Sequence, residues 1–137
     1  MLKTTLIHPT ILSALASSGH TGKVLIADGN YPVATKANLC AERVYLNLAP
    51  GKMTVPEVLG ALLTAIPVEA AYAMQTADGS LPEIYAEFQE MLDVPVQQLM
   101  PQDFYELAQD PNMALVIATG EQRIYANIIL TIGVVST

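Results

Sequence analysis

The chain has 137 residues, 52% of them hydrophobic and only 14% charged, with a net charge of −7 from 6 basic and 13 acidic side chains. That length suits one layered domain over residues 1–137; the scattered Lys and Arg make no nucleic-acid footprint, and no apolar run reaches the roughly 18–20 residues of a membrane span. The single cysteine, Cys40, excludes an internal disulfide and a cysteine-based metal site.

So much apolar surface on a small chain points to burial between subunits, and an oligomer is expected. Met1-Leu2-Lys3-Thr4-Thr5 lacks a signal-peptide apolar core, so the expected location is the cytoplasm. A neutral polar ligand suits the charge balance better than a phosphate.

Pro9–Ser18 reads as a helix: His8-Pro9 is its entry, Ile11, Leu12 and Leu15 form its apolar face, and Gly19 ends it. Val24–Ala27 is a short apolar strand, and residues 33–42 show no period. Arg43–Leu48 alternates as a strand and runs into the Pro50-Gly51 turn. Thr54 is the N-cap of a second helix that reaches Ile66 and stops at Pro67. Ala70–Gln75 is a strand, Asp78-Gly79 a turn, Pro82–Leu92 a third helix and Val94–Gln97 a short strand. Gln102–Gln109 is a fourth helix. Met113–Thr119 and Ile124–Ile132 are the last two strands, and with no helix between them they are expected to pair antiparallel. The alternation predicts an α/β domain: a mixed, mainly parallel sheet flanked by helices.

Two constellations carry chemistry. Gly19-His20-Thr21-Gly22 puts a histidine in a turn, and Asp28 lies eight residues on, across a strand. A His and an Asp at one sheet edge would support acid–base catalysis, because a carboxylate fixes the imidazole tautomer and raises its basicity. The plainer reading makes His20 a polar turn residue and Asp28 part of an Asp-Gly-Asn-Tyr-Pro turn. Tyr125 and Asn127, two apart on a strand, share a face and offer a hydroxyl and an amide to sugar hydroxyls; a solvated edge strand is the plainer alternative. Asp103 fits the first turn of a helix as a dipole match. His8 and His20 lack metal-ligand spacing, and no Walker loop, GxGxxG or nucleophile elbow is present.

Taken together, these residues resemble the ribose pyranase / fucose mutarotase family from end to end. The matching elements are Met1-Leu2-Lys3, His8-Pro9, Gly19-His20-Thr21, Ala27-Asp28 with Asn30-Tyr31-Pro32, and Pro50-Gly51. Thr119-Gly120-Glu121, Tyr125-Ala126-Asn127-Ile128-Ile129-Leu130 and Gly133-Val134 complete the match. The resemblance implies a small α/β domain in a ring-shaped homo-oligomer, often a decamer, with a sugar site between subunits. It implies a free fucose- or ribose-like monosaccharide as partner, and an isomerase that interconverts its anomers or ring forms with neither metal nor cofactor. Carried over, the catalytic histidine falls on His20 and its carboxylate on Asp28. Tyr125, a second proton-transfer group, and Asn127 are then supplied by a neighbouring subunit.

Ahead of Tyr105 the pyranase branch carries a histidine and the fucose branch an arginine before Phe-Tyr-Glu. Here Phe104-Tyr105-Glu106 leans towards the fucose branch, and Gln102 and Asp103 stand in for the cation. Gln102, Asp103 and Tyr105 are therefore expected at the sugar. Two other classes stay open at this point: a sugar-binding module of the same fold that turns nothing over, and a structural ring subunit.

Overall fold

In the computed structural model, which describes residues 1–137, helix α1 spans Pro9–Ser18. His8 caps it: Nδ1 accepts the Ile11 N–H at 3.3 Å, and Pro9 supplies a first-turn φ. Gly19, at φ 70°, ends it where a side chain would be strained. Strand β1 (Lys23–Ala27) follows, then β2 (Glu42–Tyr45), which is shorter than its alternating pattern suggested. The aperiodic stretch between them is irregular, and Arg43 staples it by donating to the carbonyls of Val33, Ala37, Asn38 and Ala41.

Helix α2 (Val55–Leu63) opens with a full capping box, in which Thr54 and Glu57 satisfy each other's backbone N–H. Strand β3 (Val68–Met74), helix α3 (Tyr85–Met91), strand β4 (Val96–Leu99) and helix α4 (Pro101–Ala108) come next. Strands β5 (Met113–Ala118) and β6 (Ile128–Ile132) close the chain. None of these helices is long and apolar enough to cross a membrane.

The six strands form one mixed sheet in the order β2-β5-β1-β6-β3-β4. Only β6 runs against the rest. The expected antiparallel pairing of the last two strands does not occur: β5 pairs in parallel with β1 and β2, and β6 lies between β1 and β3. The connection from Thr119 to Asn127 is too long for a two-residue hairpin turn, and it steps over the end of β1.

Helices α1, α2 and α3 cover one face, where Ile11, Leu59, Leu62 and Phe88 meet Val24, Ile26, Leu115, Ile117 and Leu130. On the other face α4 and the irregular segment place Phe104, Ala108, Tyr31 and Val33 over Leu25, Val116 and Ile129. Phe88 is fully buried, so Phe88→Ala is expected to lower unfolding free energy by about 3–5 kcal/mol in urea melts.

Candidate functional site

Because β6 opposes its neighbours, one edge of the sheet gathers the C-terminal ends of β1, β3 and β5 with the N-terminal end of β6. Crevices beyond such strand ends are where open α/β sheets hold ligands. This edge carries Asp28 after β1, Met74 at the end of β3, Thr119 after β5 and Asn127 before β6.

Asp28 is 3% exposed and has no basic partner. Its charge is met by donors instead. Oδ1 accepts the backbone N–H of Asn30 at 2.9 Å and of Tyr31 at 3.0 Å. Oδ2 accepts the Ala126 N–H at 3.0 Å and the Asn127 amide at 3.2 Å. Asn127 returns the favour, its Oδ1 accepting the Asp28 N–H at 2.7 Å. All four acceptor positions of the carboxylate are used. Burial pushes the carboxyl above its ordinary pKa, against the opposing pull of these donors. Asp28 therefore acts as an organiser of the edge, which extends the local turn role visible in the sequence.

Tyr125 precedes the gripped pair. It was expected on a strand, but residues 124 and 125 form a turn, and Tyr125 sits in the left-handed region at φ 58°. Such a conformation costs a bulky residue on the order of 1–3 kcal/mol and needs its surroundings to impose it. It turns the ring into a cavity of about 290 Å³ lined by Asp28, Asn30, Tyr31, Met74, Tyr105, Ile124, Tyr125 and Asn127. The cavity is aromatic-walled: Tyr31 and Tyr105 lie 5.5 Å apart, and the Lys36 ammonium sits 5.8 Å from the Tyr105 centroid. The Tyr31 hydroxyl is spent on the Lys36 carbonyl at 2.6 Å. Burial, with the nearby Tyr105 and Asp28, raises its pKa well above normal.

Of the residues expected at the sugar, Tyr105, Tyr125, Asn127 and Asp28 converge on this cavity, and all come from one chain. Gln102 and Asp103 do not line it. They lie on the exposed side of the first turn of α4, whose buried side sends Phe104 onto the sheet. His20 is absent too. It precedes β1 while Asp28 follows it, so a five-residue strand, about 16 Å long, separates them. The expected His20–Asp28 pair therefore does not form within a chain. His20 Nε2 lies 3.0 Å from Glu69 Oε2 instead. Met74, Asn30 and Ile124 went unnoticed in the sequence, where only the Asn30-Tyr31-Pro32 turn drew attention. No group of three or more His, Cys, Asp or Glu side chains is arranged to hold a metal ion.

A second buried carboxylate stands at the other end of the same loop. Glu121 is 4% exposed and its backbone carbonyl accepts the Gly29 N–H. Its oxygens take a two-pronged bond from the Arg123 guanidinium, the Arg123 N–H at 3.1 Å and the Val55 N–H at 3.4 Å. Burial is the largest influence and pushes its pKa up, but the Arg123 bonds outweigh it and hold the carboxyl below its usual value.

The chain matches the model of the RbsD / FucU transport protein family over residues 1–135. It is 33% identical to D-ribose pyranase of Paracidovorax citrulli over 138 residues, 98% of both chains. It is 32% identical to D-ribose pyranase of Clostridium perfringens, over 98% of this chain and 99% of the relative. Among solved structures, fucose mutarotase from Streptococcus pneumoniae in complex with L-fucose superposes with a TM-score of 0.84 at 28% identity, over 99% of this chain and 100% of that one. Bacillus subtilis RbsD complexed with D-ribose gives 0.82 at 30% identity, over 99% and 100%.

Two outcomes follow from the paired carboxylates. Asp28→Asn keeps the shape but sets an amide donor against N–H groups, so it should lose about 1–3 kcal/mol in chemical denaturation. Glu121, with its depressed folded-state pKa, contributes stability above the ordinary value of 4.5 that is lost as pH falls through the folded-state value. Melting temperature measured from pH 6 to pH 3 should therefore fall less steeply in Glu121→Gln than in wild type.

Proposed function

The chain belongs to the RbsD / FucU family, and we propose that it is an isomerase that interconverts the anomers or ring forms of a free, neutral, fucose- or ribose-like monosaccharide. The observation that carries this reading is the cavity where Asp28 holds Ala126 and Asn127, with Tyr125 just ahead of them and Tyr105 in the wall. Relatives that act as D-ribose pyranases match along nearly the whole chain, and the L-fucose and D-ribose complexes share its fold. Tyrosine rings suit the C–H faces of a sugar, and hydroxyl and amide groups suit its hydroxyls. Asp28, held by neutral donors and paired with no cation, puts negative charge beside the cavity, which disfavours sugar phosphates and uronates.

Ring opening takes a proton from the anomeric hydroxyl and gives one to the ring oxygen as the bond between that oxygen and the anomeric carbon breaks. The products are a carbonyl and an open-chain hydroxyl. Rotation about the adjacent carbon–carbon bond, then reclosure with both transfers reversed, gives the other anomer. Positioned groups speed such transfers by about 10²–10⁴-fold. Tyr125 is one of these groups. Asp28, with its lone pairs committed, acts by holding Asn127 and the Ala126 backbone that follows Tyr125 in place.

His20 is the other proton-transfer group, and it reaches the sugar from a second copy. The five-residue strand between His20 and the cavity supports this reading. So do two apolar surfaces: Leu81 and Ile124 are exposed beside the cavity, and Val134 and Val135 are exposed just past β6, at the His20 end. Contact between such unlike ends is heterologous, the kind that generates rings where the rotation between copies closes, and a decamer is the expected form.

Saturation-transfer NMR on ribose, fucose, galactose and glucose tests the activity. Wild type should accelerate anomer exchange of at least one, and His20→Ala should lose about 10²-fold or more. Exchange no faster than in buffer for every sugar would sink the enzyme reading, and saturable binding without exchange would make the chain a binding module. Mixing His20→Ala with Tyr125→Phe subunits should regain part of the activity, since some interfaces pair the intact halves. A monomer in sedimentation at micromolar concentration would rule out the shared site.

A further inference from the structure

Thr119-Gly120-Glu121 is the most distinctive motif of the C-terminal third, and the chemistry above makes no use of its buried carboxylate. We propose that Glu121 is a positioning residue for Tyr125, acting through Arg123 on the turn that aims the tyrosine ring. The proposal rests on the role given to Tyr125 above.

The loop from 119 to 127 is held at Thr119, Glu121 and Arg123 and again at Ala126 and Asn127, which leaves Tyr125 between the two groups of bonds. Asp28 Oδ2 grips it at Ala126 and Asn127. At the other end Glu121 folds the chain back on itself, accepting both the backbone N–H and the guanidinium of Arg123. Glu121 also ties this end to the start of α2 through Val55, and Glu87 on α3 takes the last face of the guanidinium. The Thr119 hydroxyl locks the approach, donating to the Ala27 carbonyl at 2.7 Å and accepting the Glu121 N–H at 3.2 Å. Gly120 is obligatory here, because a Cβ would collide with the carbonyl oxygens of Lys52 and Ala49.

Between the two anchors stands Tyr125, in a left-handed conformation that its own side chain disfavours. The Tyr125 hydroxyl makes no hydrogen bond within the chain, so the backbone alone aims it. Releasing Glu121 frees residues 122–125 to relax towards ordinary φ values, and the hydroxyl leaves its place over the cavity. Displacements of about 1 Å at a reacting group can cost on the order of 10²-fold in rate. Sugar affinity, shared among Tyr105, Asn127 and the other walls, changes much less.

A double-mutant cycle with Tyr125 tests this against a merely structural role. Glu121→Gln puts an amide donor against Arg123 and Val55, and should lower kcat for anomer exchange by about tenfold or more while KM stays within about threefold. Tyr125→Phe should lower kcat by about 10²-fold, and Glu121→Gln added to it should cost nothing further. A full additional loss in the Tyr125→Phe background, or wild-type kcat in Glu121→Gln alone, overturns the proposal and leaves the function intact. Wild-type kcat in Tyr125→Phe overturns the role of Tyr125 itself, and this proposal with it. If Glu121→Gln does not fold, Arg123→Lys takes its place in the same cycle, keeping the charge and losing the fork.

Discussion

The arrangement of this molecule turns on one buried charge. Asp28 has no cation beside it, and a carboxylate at 3% exposure is tolerable only when hydrogen-bond donors replace its water. Four do, two from the turn that follows β1 and two from a segment almost a hundred residues later. Apolar contact is non-directional and would accept many neighbouring registers. Donors at 2.9–3.2 Å accept few. Meeting one charge therefore fixes the turn at Asn30, the start of β6 and the tyrosine ahead of it together.

The sheet order explains how two such distant segments meet. After β5 the chain does not turn back beside itself. It steps over the end of β1 and enters the sheet on that strand's far side. Neighbouring strands are about 4.8 Å apart, so the step spans roughly two strand spacings, well within reach of the residues from 119 to 127. Asp28 stands at the end of the strand being crossed, which is why it can hold the crossing loop. Reversal of β6 also gives the edge its composition: a loop entering β6 arrives where β1, β3 and β5 leave.

Much of this was legible in the residues, and the reasons differ element by element. Helix α1 has the bounds its sequence predicted because Pro9 and Gly19 leave little choice at either end. Tyr125 and Asn127 were found as a pair for an imperfect reason: a shared strand face was expected, whereas a left-handed turn and the grip of Asp28 bring them together. The partner of β6 was not legible, since proximity along the chain favours a hairpin and only the buried polar groups say otherwise. Gln102 and Asp103 fall outside the walls of this cavity because likeness to a motif fixes position along the chain, not which side of a helical turn faces the sheet. Glu121 and Arg123 stand two residues apart, and nothing in that spacing tells a solvated pair from one tied to α2 and α3.

The separation of His20 from the cavity is the deepest consequence of the fold. Strand β1 is a rigid spacer, paired with β5 along its whole length and with β6 from Lys23 to Ile26, with four of its five residues fully buried. No loop motion carries the Gly19–Thr21 turn past it. A lone chain thus holds the Tyr- and Asn-lined cavity at one end of β1 and the His20 imidazole at the other. Under the proposed mechanism catalysis would depend on assembly: the same rigidity that keeps the two halves apart in one subunit would hold them at a fixed distance across a head-to-tail contact. In the proposed shared site, the large share of apolar side chains would serve chemistry as well as stability, because a contact driven by them would complete the site.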